Sequence, residues 1–114
     1  MILAEIVDQV VIDSRKLTRY ALNPHSPSGQ HKARVFESTL GFTLENSTQL
    51  MHQLEQKALH TEITIHSTDE FGIRYTADIA VKGLHGQSAT VRTGWLVSPG
   101  TRTAHLVTLY VKRR

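Results

Sequence analysis

Cysteine is absent from this chain of 114 residues, which excludes a disulfide framework, zinc–thiolate centres and thiol nucleophiles. No run approaches the ~20 apolar residues of a membrane span, and Met1 to Glu5 lacks a basic, apolar leader pattern. A soluble, cytoplasmic protein with no membrane association is therefore expected. Also missing are a glycine-rich phosphate loop, a nucleophile elbow and paired carboxylates, so nucleotide hydrolases, serine esterases and glycosidases have no support. His25 and His31 lie six residues apart across a proline-containing loop and the acids are scattered, which argues against a metal site; no cofactor is expected.

One further absence is local. No acid occurs between Ser14 and Phe36, while Arg15, Lys16, Arg19, Lys32 and Arg34 all fall there. The net charge is only +3, so this clustering says more than the total. The middle of the segment, Asn23 to Gln30, holds two of the three prolines and reads as a loop. Basic groups from two helices would flank it, an arrangement suited to an anion, plausibly a phosphate. The closing Lys112-Arg113-Arg114 reads as a solvated end.

The length suits one domain, 1–114, large enough for its own core. Helices are expected over about 14–22, 30–40 and 46–59. Asp13 or Ser14 caps the first, and Asn23-Pro24 stops it. The second buries Ala33, Phe36 and Leu40 and ends at Gly41. The third carries Leu50, Met51, Leu54 and Ala58 on one face. After Leu59 the period becomes two, giving strands over about 74–82, 88–97 and 103–111, with turns at Gly83 to Gly86 and Ser98 to Thr101. A weaker alternation spans Thr61 to His66, and Ile6 to Ile12 would add a short edge strand. The class is α+β: two to three helices on one face of an antiparallel meander of three to four strands.

Alternation assigns Tyr75, Ala77, Ile79, Val81, Val91, Trp95, Val107, Leu109 and Val111 to the helix-covered face. The other face is polar. If Gly86 adopts the left-handed conformation in a three-residue turn, Asp78 falls opposite Arg92, and Tyr110 beside Arg92. The open face then presents Asp78, Thr90, Arg92, Thr108 and Tyr110. Metal-free RNA cleavage needs a base for the ribose 2′-hydroxyl, an acid for the departing 5′-oxygen and positive charge for the phosphorane. His31, at the start of the second helix, is the candidate base. The ordinary alternative is a cross-strand salt bridge among good strand residues, with Lys32 and Arg34 on a solvated helix face.

Leu22-Asn-Pro-His-Ser-Pro-Ser-Gly-Gln-His-Lys-Ala-Arg-Val-Phe36 resembles the signature of a small bacterial family described as a domain of unknown function. The likeness continues through Leu40 to Asn46, Gly72 to Asp78, Ala89 to Trp95 and Leu106 to Val111. Departures are the step His25-Ser26-Pro27, where the family has His-Pro, and the segment Leu59 to Phe71. The resemblance implies a domain found alone and at the C-terminal tips of polymorphic toxins, similar in order of elements to barnase, colicin D, colicin E5 and the RelE toxins. It implies a ribonuclease toxin held by a cognate antitoxin or immunity protein, with RNA as substrate.

The resulting expectation is a metal-independent endoribonuclease with His31, Lys32, Arg92, Thr108 and Tyr110 catalytic, and Arg15, Lys16, Arg19, His25, Arg34, Asp78 and Thr90 binding substrate. The alternative is a non-catalytic protein- or RNA-binding module. An antitoxin or immunity role fits less well, since a partner for a basic nuclease is more usually acidic.

Overall fold

The computed structural model describes residues 1–112; Arg113 and Arg114 lie outside them. Helices α1 (Gln30–Leu40) and α2 (Ser47–Ala58) precede most of a five-stranded sheet formed by β1 (Gln9–Val11), β2 (Ile63–Asp69), β3 (Gly72–Lys82), β4 (Ser88–Val97) and β5 (Thr103–Val111). The sheet order is β1-β5-β4-β3-β2. Strands β2 to β5 form the expected antiparallel meander. β1 supplies the edge strand suggested by Ile6 to Ile12, and it lies parallel to β5, with Gln9 opposite Thr103. The class is α+β, with a mixed sheet. Among the described residues no helix is long and apolar enough to cross a membrane.

Helix α1 forms because Ala33, Phe36 and Leu40 share one face, and all three are buried. Full burial of a Phe or Leu side chain contributes roughly 1.5–3 kcal/mol, so this stripe docks the helix. Gly41 ends it at φ 80°, a left-handed geometry that glycine adopts without strain. In α2 the buried set is Leu50, Leu54 and Ala58. Gln53 pins α2 to the end of β3: its side-chain amide donates to Lys82 O at 2.6 Å and its Oε1 accepts from Lys82 N at 2.9 Å.

The region read as a helix over about 14–22 is helical over 15–21, most of it wound as a π-helix. A turn after Asp13 leads into one π-helical stretch, Leu17–Ala21. Asp13 caps its start as expected, Oδ1 accepting from Arg15 N at 3.0 Å, and the same carboxylate grips the Arg15 side chain through Nε and Nη2. Gly29 lies against this stretch so closely that a Cβ there would fall 2.0 Å from Tyr20 O. That contact sets α1 beside Tyr20.

Trp95 is wholly buried at the centre of the core, with Phe36, Phe42, Ile79 and Leu109 among its fully buried companions. Its indole N–H donates to Thr93 Oγ1 at 2.7 Å, and the Thr93 hydroxyl donates to Ala77 O at 2.7 Å. A buried threonine is thus satisfied on both sides, as a dry interior requires.

One inward assignment is corrected. Gly94 pairs with Thr108 but Trp95 pairs with Leu106, so Val107 is an extra residue in β5. The bulge reverses the phase of the strand: Ala104 and Leu106 face the core before it, Leu109 and Val111 after it. Val107 is therefore only partly buried and leaves its core place to Leu106.

Candidate functional site

The β3–β4 hairpin closes through a bond from Gly83 N to Gln87 O, with Gly86 at φ 86° in the loop. This turn sets the register that places Asp78 opposite Arg92. The next pairing places Arg92 opposite Tyr110, and Gly94 opposite Thr108. All of these lie on the sheet face turned away from Trp95, because alternation sends neighbours to opposite sides.

At this level the face sinks into a groove of about 300 Å³, bordered by His66, Arg74, Thr76, Arg92, Thr108 and Tyr110 among others. Gly94 is the reason for the hollow. A Cβ there would meet the Thr108 methyl at 2.9 Å, so any larger side chain fills the floor. Beyond β5, Val107 and Thr108 also line a second, wider depression of about 660 Å³ with Asp13, Arg15, Lys16, Arg19 and Tyr20. The two hollows share a wall and form one basic track.

Lys32 crosses from the first turn of α1 to this face. Strand β1 pairs only as far as the position opposite His105, so the flank of β5 beside Thr108 is left to Lys32 and Tyr20. The Lys32 ammonium donates to Tyr20 Oη at 2.6 Å and to Thr108 Oγ1 at 3.3 Å. It stands 4.5 Å from the centre of the Tyr20 ring and 5.7 Å from that of Tyr110. Cation–π attraction and two hydroxyl acceptors hold the charge in place, and among the described residues no carboxylate pairs with it.

Arg92 is differently held. Its Nε and Nη2 donate to Asp78 Oδ1 and Oδ2 at 2.8 and 3.0 Å. Lys112 adds a contact to Asp78 Oδ2 at 3.2 Å. Arg92, with Lys112 behind it, holds the Asp78 carboxyl down at about 2 despite partial burial. In return Asp78 first, and then Tyr110, raise the already high basicity of Arg92. Asp78 is thus a brace that aims Arg92.

This brace has a pH signature. A carboxyl whose folded value is depressed stabilises fully above its ordinary value of about 4, and that contribution disappears as pH falls toward its folded value. The Arg92 and Asp78 side chains are 37% and 32% exposed, so screening limits the effect to below about 1 kcal/mol. Thermal melts of wild type and Asp78→Asn should differ by a constant amount, no more than about 4 °C, from pH 7 to about 4.5, and converge near pH 2. A gap that widens with acid would contradict the ion pair.

The other residues singled out from the sequence are dispersed. Arg15, Lys16 and Arg19 line the wider depression, where Arg15 is taken by Asp13. Thr90 lies one step beyond Arg92 on the same face and its carbonyl accepts from Lys112 N at 2.8 Å. Arg34 borders a separate hollow with Pro24, Phe42 and Glu45. His25 is exposed in the loop, its N–H donating to Asn23 Oδ1. His31 is exposed next to Lys32 but borders neither hollow of the track. His66, Arg74 and Tyr20 were not read from the sequence as site residues; the alternation around His66 is weak, and Tyr20 meets Lys32 only through tertiary packing. Among the described residues, no three His, Asp or Glu side chains gather in a way that holds a metal ion.

The architecture is similar to that of a chain in the contact-dependent growth inhibition toxin–immunity protein complex from Klebsiella pneumoniae 342. The match has TM-score 0.68 and 15% sequence identity, and covers 91% of this chain and 94% of that one. At that identity the likeness is one of fold. No curated protein matches the sequence. The family model for DUF6883, a domain of unknown function, matches residues 2–113, nearly the whole length, and the chain belongs to that family.

Proposed function

We propose that this domain is a metal-independent endoribonuclease toxin acting on cytoplasmic RNA and restrained by a cognate immunity protein or antitoxin. The observation that carries the reading is the groove of the open sheet face lined by Arg92, Thr108 and Tyr110, with the Lys32 ammonium bonded to Thr108 beside it. The fold likeness to a chain of a toxin–immunity complex supports it. The basic track favours the toxin side of such a pair, since a protein that blocks a basic nuclease is more usually acidic.

In the proposed reaction the 2′-oxygen of a ribose attacks the adjacent phosphorus as the bond from phosphorus to the 5′-oxygen breaks. The products are a 2′,3′-cyclic phosphate and a free 5′-hydroxyl. His31, exposed beside Lys32 at the start of α1, takes the 2′-proton, and the Tyr110 phenol protonates the leaving 5′-oxygen. Lys32 and Arg92 stabilise the charge that builds on the phosphorane oxygens, where preorganised donors act most strongly. Thr108 Oγ1 accepts from Lys32 and so keeps its own hydrogen for a phosphate oxygen. Lys16 and Arg19 hold the flanking backbone.

A second reading, a non-catalytic RNA- or protein-binding module, is favoured by one observation: two donor positions of Arg92 are already committed to Asp78. Incubation with total bacterial RNA in excess EDTA separates the two. Wild type should create new RNA ends, and Gly94→Val, which fills the groove floor with a residue suited to strands, should lose at least about tenfold of that activity and melt within a few degrees of wild type. RNA that is retarded in a salt-dependent way and left intact would instead favour the binding module.

A further inference from the structure

We infer that the wider hollow beyond β5 is a phosphate seat, in which the hydroxyls of Tyr20 and Thr108 donate to one phosphate group with the Lys32 ammonium behind them. Only the identity of that group, the phosphate at which RNA is cut, rests on the ribonuclease reading above. An ammonium can donate but not accept, and Lys32 gives hydrogens to Tyr20 Oη at 2.6 Å and to Thr108 Oγ1 at 3.3 Å. Each hydroxyl therefore keeps its own hydrogen, and among the described residues neither gives it to a protein acceptor. A hydroxyl that accepts from a cation is in turn a stronger donor. Tyr20 and Thr108 both line the hollow of about 660 Å³, whereas Lys32 does not border it.

Distance makes the pair one site. Both bonds start from one tetrahedral ammonium, so the two hydroxyl oxygens stand roughly 5 Å apart. A single phosphate bridges that gap when two of its oxygens each accept a bond of about 2.7 Å. Tyr110 follows Thr108 by two residues on the same face of β5, and its ring centre lies 5.7 Å from the same ammonium. The acid proposed for the leaving oxygen is thus next to the seat.

Charge favours an anion there. Lys16 and Arg19 line the hollow, and among the described residues neither pairs with a carboxylate. The one acid on its wall, Asp13, is held by Arg15 through Nε and Nη2. Asp13 and Arg15 cancel each other, which leaves two cations on the wall and that of Lys32 behind it. The wall itself is the π-helical stretch Leu17–Ala21 with Lys16 before it, and such winding is frequent at functional sites.

Titration with inorganic phosphate at constant ionic strength, followed by amide NMR, and cleavage in EDTA of an RNA whose cut position is mapped together test the seat. The variants are Tyr20→Phe, Thr108→Val and, as a control that removes an exposed cation outside the hollow, Arg102→Gln. Phosphate should shift the amides of Lys16 to Tyr20 and of Thr108 alike in wild type and Arg102→Gln. Tyr20→Phe keeps the ring beside Lys32 and removes only the hydroxyl. It and Thr108→Val should each bind phosphate at least about tenfold more weakly and cleave about 10²- to 10³-fold more slowly. Both should melt within about 5 °C of wild type. Of the two phosphorothioate stereoisomers at the cut, the one with sulfur facing Tyr20 should slow wild type and leave Tyr20→Phe indifferent, a signature that a merely structural tyrosine lacks. Equal phosphate binding by wild type and Tyr20→Phe, or shifts centred on Arg92, would overturn the seat and leave the ribonuclease reading standing. Weaker phosphate binding with unchanged cleavage would overturn the identity of the group, making it a flanking phosphate. Intact RNA with the wild type, alongside phosphate shifts in this hollow, would sink the ribonuclease reading and keep the seat as a contact with the RNA backbone.

Discussion

On the ribonuclease reading proposed above, replacing Arg92 by glutamine should slow RNA cleavage by about 10²- to 10³-fold, the usual effect of deleting a preorganised donor to a developing anion, while barely moving the melting temperature. The asymmetry follows from how Arg92 is held. Its Nε and Nη2 are spent on Asp78, which fixes the guanidinium plane beside Tyr110. As a structural bond the pair is worth little, because both side chains remain about one-third exposed and water screens them. Glutamine keeps the length and polarity without the charge. Arg92→Lys should recover only part of the rate, since an ammonium cannot be braced through two parallel bonds while aiming a third donor. Rates of a defined RNA cut, with melts in the same buffer, check this. A glutamine variant that cleaves like wild type would reduce Arg92 to a surface salt bridge.

Trp95→Ala will have the opposite profile, a large loss of stability with no direct chemical role. Removing a wholly buried tryptophan costs about 3–5 kcal/mol through lost transfer energy and the cavity left behind. For a domain of this size that is a drop of roughly 12–25 °C in melting temperature. It also takes from Thr93 the indole that donates to it at 2.7 Å. Trp95→Phe keeps most of the volume and loses chiefly that hydrogen bond, worth about 1 kcal/mol. Differential scanning calorimetry of both variants should separate packing from polar satisfaction. A drop below about 5 °C for alanine would mean that the core is not organised around this ring.

Local signals were strong for the meander. Alternation and glycine-bearing turns place β3, β4 and β5: the turn at Gly86 carries the pairing of Asp78 with Arg92, and the turn at Ser98 to Thr101 that of Arg92 with Tyr110. What stayed hidden depends on contacts between distant residues. Val107 fits the inward phase of β5 by every local criterion, and only the ladder with β4 shows the slipped register. His66 closes the weak alternation read from Thr61, and the bulge there breaks the periodicity beyond it, so the pairing of Ser67 with Arg74 was not legible. Lys32 is named from the sequence as a site residue with a solvated helix face as the alternative, but its contact with Tyr20 follows only from the packing of Gly29 against that residue.

The parallel pairing of β1 with β5, Gln9 beside Thr103, has a consequence for the order of assembly. Translation proceeds from the N-terminus and long-range pairings must wait for both partners. A growing chain therefore owns Lys32 and Arg92 well before it owns Thr108 and Tyr110, and its first strand stays unpaired until the last has been synthesised. The groove is complete only once the last strand has closed the sheet, so on the toxin reading proposed above any activity waits for the end of the chain.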